Sequence, residues 1–235
     1  PDSFGHPATL PSLAAGFGMA AIIAWRGYGG ARWPEGDAAW WHSPDGSRVL
    51  LLHLPPDGYE FGSNLPTDDE GAAARWARME AVLEPRARLG TALLQNGADH
   101  HARQSGHGDA LRALAAAAHA HEVIPSSLQA YVADTMRVAA GAKLPDIRGE
   151  LRDSYGYTWT LQGTFGTRAA QKRTNALAER LLVRDAEPWA ALVRATGGTS
   201  QRALVDAAWR ALLECHPHDT LCGCSIDEVA AAADV

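Results

Sequence analysis

Two carboxylates stand where chemistry could be done. Asp99 lies in Asn96-Gly97-Ala98-Asp99-His100-His101, following the buried run Leu93 to Asn96. Asp2 lies in Pro1-Asp2-Ser3-Phe4-Gly5-His6-Pro7. Alone, the second is a polar turn with a glycine, and the first is a helix cap or solvated loop as readily as a reacting group. On neighbouring strand ends the pair has a definite job. One carboxylate attacks an acetal carbon; the other protonates the departing oxygen and later activates water, at a separation of about 5–5.5 Å. A second group of reactive types closes the chain: Cys215, His216, His218, Asp219, Cys222 and Cys224. Cys222-Gly223-Cys224 with His216 and His218 has the residue types of a metal knuckle. Structural zinc more often has two or more residues between its thiols and takes four ligands, which favours small buried residues in a tight turn.

The elements that must position these groups follow from pattern. Ala21-Ile22-Ile23-Ala24-Trp25 reads as a buried strand. Trp40 to Leu52 reads as a hairpin turning at Pro44-Asp45-Gly46. A helix is predicted from about Thr67 to Arg88, with Asp68, Asp69 and Glu70 at the positive end of its dipole. Thr91 to Asn96 is the next predicted strand, and about Asp109 to His121 the next helix. Strands alternating with helices imply a parallel sheet with crossovers, whose chemistry collects past the strand ends. Trp25-Arg26-Gly27 and Asn96-Gly97-Ala98-Asp99 sit at such ends. Beyond Ser154 the texture becomes helical: Arg168 to Val183, Ser200 to Leu213 with Ser200 as cap, and a third helix opened by the capping box Ser225-Ile226-Asp227-Glu228. The last three suggest a small bundle.

Composition narrows the function classes. The chain has 235 residues, 46% of them hydrophobic, and a net charge of −6. An acidic balance argues against non-specific nucleic-acid binding. No apolar run approaches the roughly 20 residues of a membrane span. Three cysteines make a poor disulfide framework and lean towards a reducing, cytoplasmic compartment. Of the eight tryptophans, Trp25, Trp33, Trp40 and Trp41 are candidates for a pocket or its rim. Trp76, Trp189 and Trp209, at helical positions, are assigned to core.

The end segments also carry a family resemblance. Asp2-Ser3-Phe4-Gly5-His6 resembles the nucleophile motif of glycoside hydrolase family 38, the zinc-dependent retaining α-mannosidases. Leu93 to His100 resembles the segment with the acid/base, and Pro217-His218-Asp219-Thr220-Leu221-Cys222-Gly223-Cys224 the signature of the helical middle domain. The resemblance implies a piece of a larger enzyme: an incomplete (β/α)7-type barrel over 1–153, then an α/β-to-helical passage into a three-helix bundle over 154–235. It puts the nucleophile and a zinc ligand on Asp2 and the acid/base on Asp99. Arg26 would hold the nucleophile carboxylate; Phe4, Tyr59, His218 and Asp219 would contact the sugar.

The implied reaction is zinc-assisted double displacement on an α-mannoside glycan, with a homo-oligomer compatible with it. The remaining zinc ligands are absent from the chain. Aligned on Gly163-Thr164-Phe165-Gly166-Thr167-Arg168, a further zinc histidine is expected where this chain has Trp159. Two rivals remain open: a non-catalytic carbohydrate-binding relative, and a metal-dependent polysaccharide deacetylase, against which the lack of His-x-x-x-His counts.

Overall fold

The computed structural model describes residues 2–30, 32–153 and 161–234. Trp159 therefore lies outside the described residues. The chain divides into two compact units, Pro1–Gln162 and Gly163–Val235.

The first unit is built on a four-stranded sheet. Its strands are β1 (Ala21–Ala24), β2 (Ala38–His42), β3 (Arg48–His53) and β4 (Asp146–Arg148), in the order β1-β3-β2-β4. β2 and β3 form the expected hairpin. The Ser43 N–H bonds to the Ser47 carbonyl at 2.8 Å, and the Asp45 carboxylate accepts from the Ser47 N–H at 2.9 Å. The sheet is mixed rather than parallel: β1 runs parallel to β3 and β4 to β2, but β2 and β3 are antiparallel. Five residues between the strands are too few for a crossover, so the hairpin itself imposes the reversal.

β3 is the central strand, and its apolar run Val49-Leu50-Leu51-Leu52 is buried on both faces. Alternation sends Val49 and Leu51 towards Trp41, Ile147 and Leu151, while Leu50 and Leu52 meet Leu89, Ala139 and Leu144. Helix α1 (Leu10–Gly16) covers the first face through Ala14. The second is covered through Tyr131, Val132 and Met136. A third cluster, around Phe61, Met79 and Leu114, lies where α2 (Asp69–Leu83) packs on α3 (His107–Ala117). The expected cap of α2 is present: Asp68 accepts from the Gly71 N–H at 2.8 Å. Pro85 follows its end. Helix α4 (Leu128–Ala139), capped by Ser127, had no clear signal in the sequence.

Other expectations need correction. Thr91 to Asn96 is not a strand. Leu94 packs into the third cluster, and side chains take the place of a ladder. Ser63 exchanges hydrogen bonds with Gly97, and Gln104 bonds both to Leu65 and to Asn96. A short apolar run reports burial and not backbone conformation. The tryptophans also redistribute. Trp41 is fully buried and donates to the Gly149 carbonyl at 3.0 Å; Trp33 is buried and bonds to Asp153. Trp189, assigned to core, is 61% exposed.

The second unit is helical: α5 (Ala169–Leu181), a π-helical turn at Leu182–Ala186, α6 (Glu187–Ala195), α7 (Arg202–Glu214), α8 (His218–Cys222) and α9 (Asp227–Ala233). α9 begins after Ile226 without a side-chain cap, so the Ser225/Glu228 box does not form. The Ser225 carbonyl instead accepts from the Arg168 guanidinium at 3.0 Å. Among the described residues, no helix is long and apolar enough to cross a membrane.

Candidate active site

The adjacent parallel strands β1 and β3 deliver the first components. Past β1 come Trp25 and Arg26. Past β3 the chain turns through Pro55-Pro56-Asp57-Gly58 into a short 3-10 helix, Gly58–Glu60, that carries Tyr59. The two strand ends are tied together. The Trp25 indole N–H donates to the Pro56 carbonyl at 3.0 Å, and its ring meets the Tyr59 ring edge-on at 5.4 Å and 82°. Gly58 has φ +57°, and a Cβ there would lie 2.3 Å from the indole, so the position needs glycine on both counts.

The N-terminal segment is brought alongside by backbone pairing. His6 and Leu151 exchange hydrogen bonds at 2.8 and 2.9 Å, and the Gly27 carbonyl accepts from the Asp153 N–H at 3.1 Å. Asp2 thereby reaches Arg26: Nε donates to Oδ1 at 2.5 Å, with the guanidinium side chain 8% exposed and the carboxylate 39%. The guanidinium lies 4.0 Å from the Trp25 ring and 5.5 Å from the Phe4 ring, both of cation–π type. Phe4 thus packs on the cation that holds Asp2.

Tyr59 joins the two carboxylates. Its hydroxyl lies 3.3 Å from Asp2 Oδ2 and 3.2 Å from Asp99 Oδ2. Those two oxygens are therefore no more than about 6.5 Å apart, a bound that contains the ~5–5.5 Å of retaining pairs. One hydroxyl has one proton to donate. Both contacts are satisfied at once when Tyr59 donates to one carboxylate and the other carries a proton and donates to Tyr59. Burial, then the charges of Asp2 and Asp99, push the Tyr59 phenol up to about 12, so the hydroxyl keeps its proton. Asp99 itself rides on the loop fastened by Ser63 to Gly97.

The sequence did not single out the residues behind this constellation. His53 is buried at the end of β3. Its Nε2 bonds to the Trp25 carbonyl at 2.8 Å, and Arg86 donates to its Nδ1 at 3.0 Å. Nδ1 is therefore the acceptor and Nε2 carries the hydrogen, which fixes a neutral tautomer. Burial, then the Arg86 charge, hold its pKa down at about 3; burial also holds His6 down at about 4. Both values lie below the ~6.5 of an unfolded histidine, so between those limits the unfolded chain binds more protons. Stability is intact above about pH 6.5 and falls with pH from there towards 4. The expected loss between pH 7 and pH 5 is roughly 4 kcal/mol from the two histidines. Urea midpoints at the two pH values read it, and an unchanged midpoint would contradict the neutral assignment.

His218 and Asp219 belong to the second unit. They are neighbours at the start of α8, with His218 Nε2 3.5 Å from Asp219 Oδ1. A zinc ion at Asp2 would need further protein donors beside it. Asp2 has one oxygen on Arg26 and the other on Tyr59, and among the described residues no trio of histidine, cysteine or carboxylate donors gathers there. That set does not fit a zinc centre, which takes three or more protein ligands, and no step below runs through the metal.

The chain is similar to known proteins along most of its length. A model described as glycosyl hydrolases family 38 N-terminal domain matches residues 1–150, and one described as alpha mannosidase middle domain matches 159–235. A Halalkalibacterium halodurans protein named as a mannosylglycerate hydrolase is 30% identical over 97% of this chain and 26% of its own length. The crystal structure of an alpha-mannosidase from Enterococcus faecalis V583 superposes with a TM-score of 0.79 and 29% identity, over 100% of this chain and 27% of that one. The chain thus spans about a quarter of the length of these relatives. With its larger part matched by the N-terminal-domain model, the chain belongs to glycosyl hydrolase family 38.

Proposed function

We propose that this chain carries the carboxylate pair of a retaining α-mannosidase, with Asp2 as nucleophile and Asp99 as general acid/base. The observation that carries the reading is the Tyr59 hydroxyl within 3.3 Å of both carboxylates. It bounds their gap at about 6.5 Å, which favours the about 5–5.5 Å of retaining pairs over the wider gap, about 6.5–9.5 Å, in which inverting enzymes seat a water. On this reading the sheet and helices of the first unit are part of a (β/α) barrel. The two relatives' names share a mannosyl group, so the proposed substrate is a mannoside, glycan or mannosylglycerate.

In the first step an Asp2 oxygen bonds to the anomeric carbon as the glycosidic C–O bond breaks, and the Asp99 proton passes to the departing oxygen. With Asp2 charged and Asp99 carrying the proton, as this reading requires, Tyr59 can donate to Asp2 while accepting from Asp99. Arg26 balances the Asp2 charge and fixes the plane of the carboxylate. Once Asp2 is an ester it is a weaker acceptor, and the Tyr59 proton turns to Asp99. Asp99 then takes a proton from water, whose oxygen displaces Asp2. Two inversions give net retention.

Proton NMR of an aryl α-mannoside during hydrolysis tests the reading, in a version of the protein as long as its relatives. α-Mannose is expected as the first anomer, with the β form appearing later by mutarotation. β-Mannose first would replace double displacement with a single inverting step.

A further inference from the structure

α8 and the turn that follows it gather three donors that the proposed hydrolysis does not need together. α8 ends at Gly223, whose φ of 85° turns the chain back on itself. The Ser225 N–H then bonds to the Asp219 carbonyl at 3.2 Å. This return sets Cys222 Sγ and Cys224 Sγ 3.3 Å apart, and Cys224 Sγ 3.2 Å from Asp219 Oδ1. The three donor atoms all lie within 4.8 Å of one another. The loop is also clamped. Arg168 donates to the Ser225 carbonyl at 3.0 Å and pairs with Asp227 at 2.7 Å, while the Gly223 turn lies against Thr167. The donors are thus held in place before any ligand arrives.

Two thiols and a carboxylate suit a borderline-soft divalent cation. Two thiolates on one tetrahedral zinc, with bonds of about 2.3 Å, lie about 3.8 Å apart. Cys222 and Cys224 need to open by only about half an ångström to reach that geometry. The donors are crowded. The hydrogen bond from Cys222, then burial, then Asp219 push the Cys224 thiol up to about 12. A single residue between the thiols and only three protein donors do not make a closed structural knuckle; they leave one position for water.

We propose that Asp219, Cys222 and Cys224 form a binding site for a thiophilic divalent cation such as Zn2+ or Cd2+, with three protein ligands and a fourth position open to solvent. Binding replaces the two thiol protons, which pass to solvent, with one dication. The site lies within the second unit and is independent of the Asp2–Asp99 reading. It replaces the bland expectation for this turn, since Cys222 is half-buried and Cys224 exposed.

The test is titration of the reduced, metal-free 235-residue chain with Cd2+ and Co2+, read by thiolate-to-metal charge-transfer absorption. One ion per chain is expected. The band is lost in Cys222→Ser and in Cys224→Ser, and affinity falls at least ~10-fold in Asp219→Asn. Cys215→Ser leaves the band unchanged, because that thiol bonds instead to the carbonyls of Ala211 and Ala233 at 3.6 Å. Oxygen ligands give no such band, so an ion at Asp2 cannot imitate it. No band, with all three thiols shown free by a thiol count, overturns the proposal. So does a band that survives loss of Cys222 or Cys224, and unchanged affinity in Asp219→Asn removes the carboxylate from the site.

Discussion

Asp2→Asn is expected to lower kcat/KM at least ~1,000-fold on every mannoside, activated or natural, in a version of the protein as long as its relatives; that corresponds to about 4 kcal/mol of transition-state stabilisation. The amide keeps the shape of the carboxylate but cannot supply the electron pair that forms the glycosyl ester. It also removes the Asp2 charge that pairs with the Arg26 guanidinium, 8% exposed. A melting curve beside the kinetics separates the two effects, since lost charge pairing shifts the midpoint whereas lost attack does not. A loss smaller than tenfold in a folded variant would take the nucleophile's role away from Asp2.

The second large effect belongs to Asp99 and depends on the leaving group. A nitrophenolate departs without a proton, whereas a sugar or glycerate oxygen does not. Asp99→Ala is therefore expected to cost ~10²–10⁴ in kcat/KM on natural mannosides and less than about tenfold on an activated aryl mannoside. Turnover of the activated substrate then stalls at the ester, because no base remains to deprotonate water. Added azide, which needs no base, is expected to restore it and to give a mannosyl azide of retained configuration. Equal losses on both substrates would mean that Asp99 acts on the shape of the pocket rather than on the proton.

What could be read from the residues differs between local and non-local features. The β2–β3 hairpin was legible because Pro44-Asp45-Gly46 is turn chemistry between two apolar runs, and α2 because Asp68 caps an acidic first turn. Thr91 to Asn96 was misread because apolar residues at a cluster look alike whether the backbone pairs or not. The mixed sheet follows from the hairpin, yet alternation of strands and helices pointed the other way. Of the site, the sequence could offer Asp2, Phe4, Arg26, Tyr59 and Asp99 as separate candidates. That one phenol faces both carboxylates depends on Trp25 lying over Gly58, a packing event with no one-dimensional signature. The neutral His53 between Trp25 and Arg86 was hidden for the same reason.

The pairing of His6 with Leu151, and of Gly27 with Asp153, joins the opening of the first unit to backbone near its end. Closing so long a loop is entropically slow and gains its reward only after the intervening chain has condensed. Alignment of Asp2 with Arg26 is therefore a late event in folding. On the ribosome, the residue at the front of this stretch waits for residues at its back, so this half of the site is assembled only once the whole first unit has emerged.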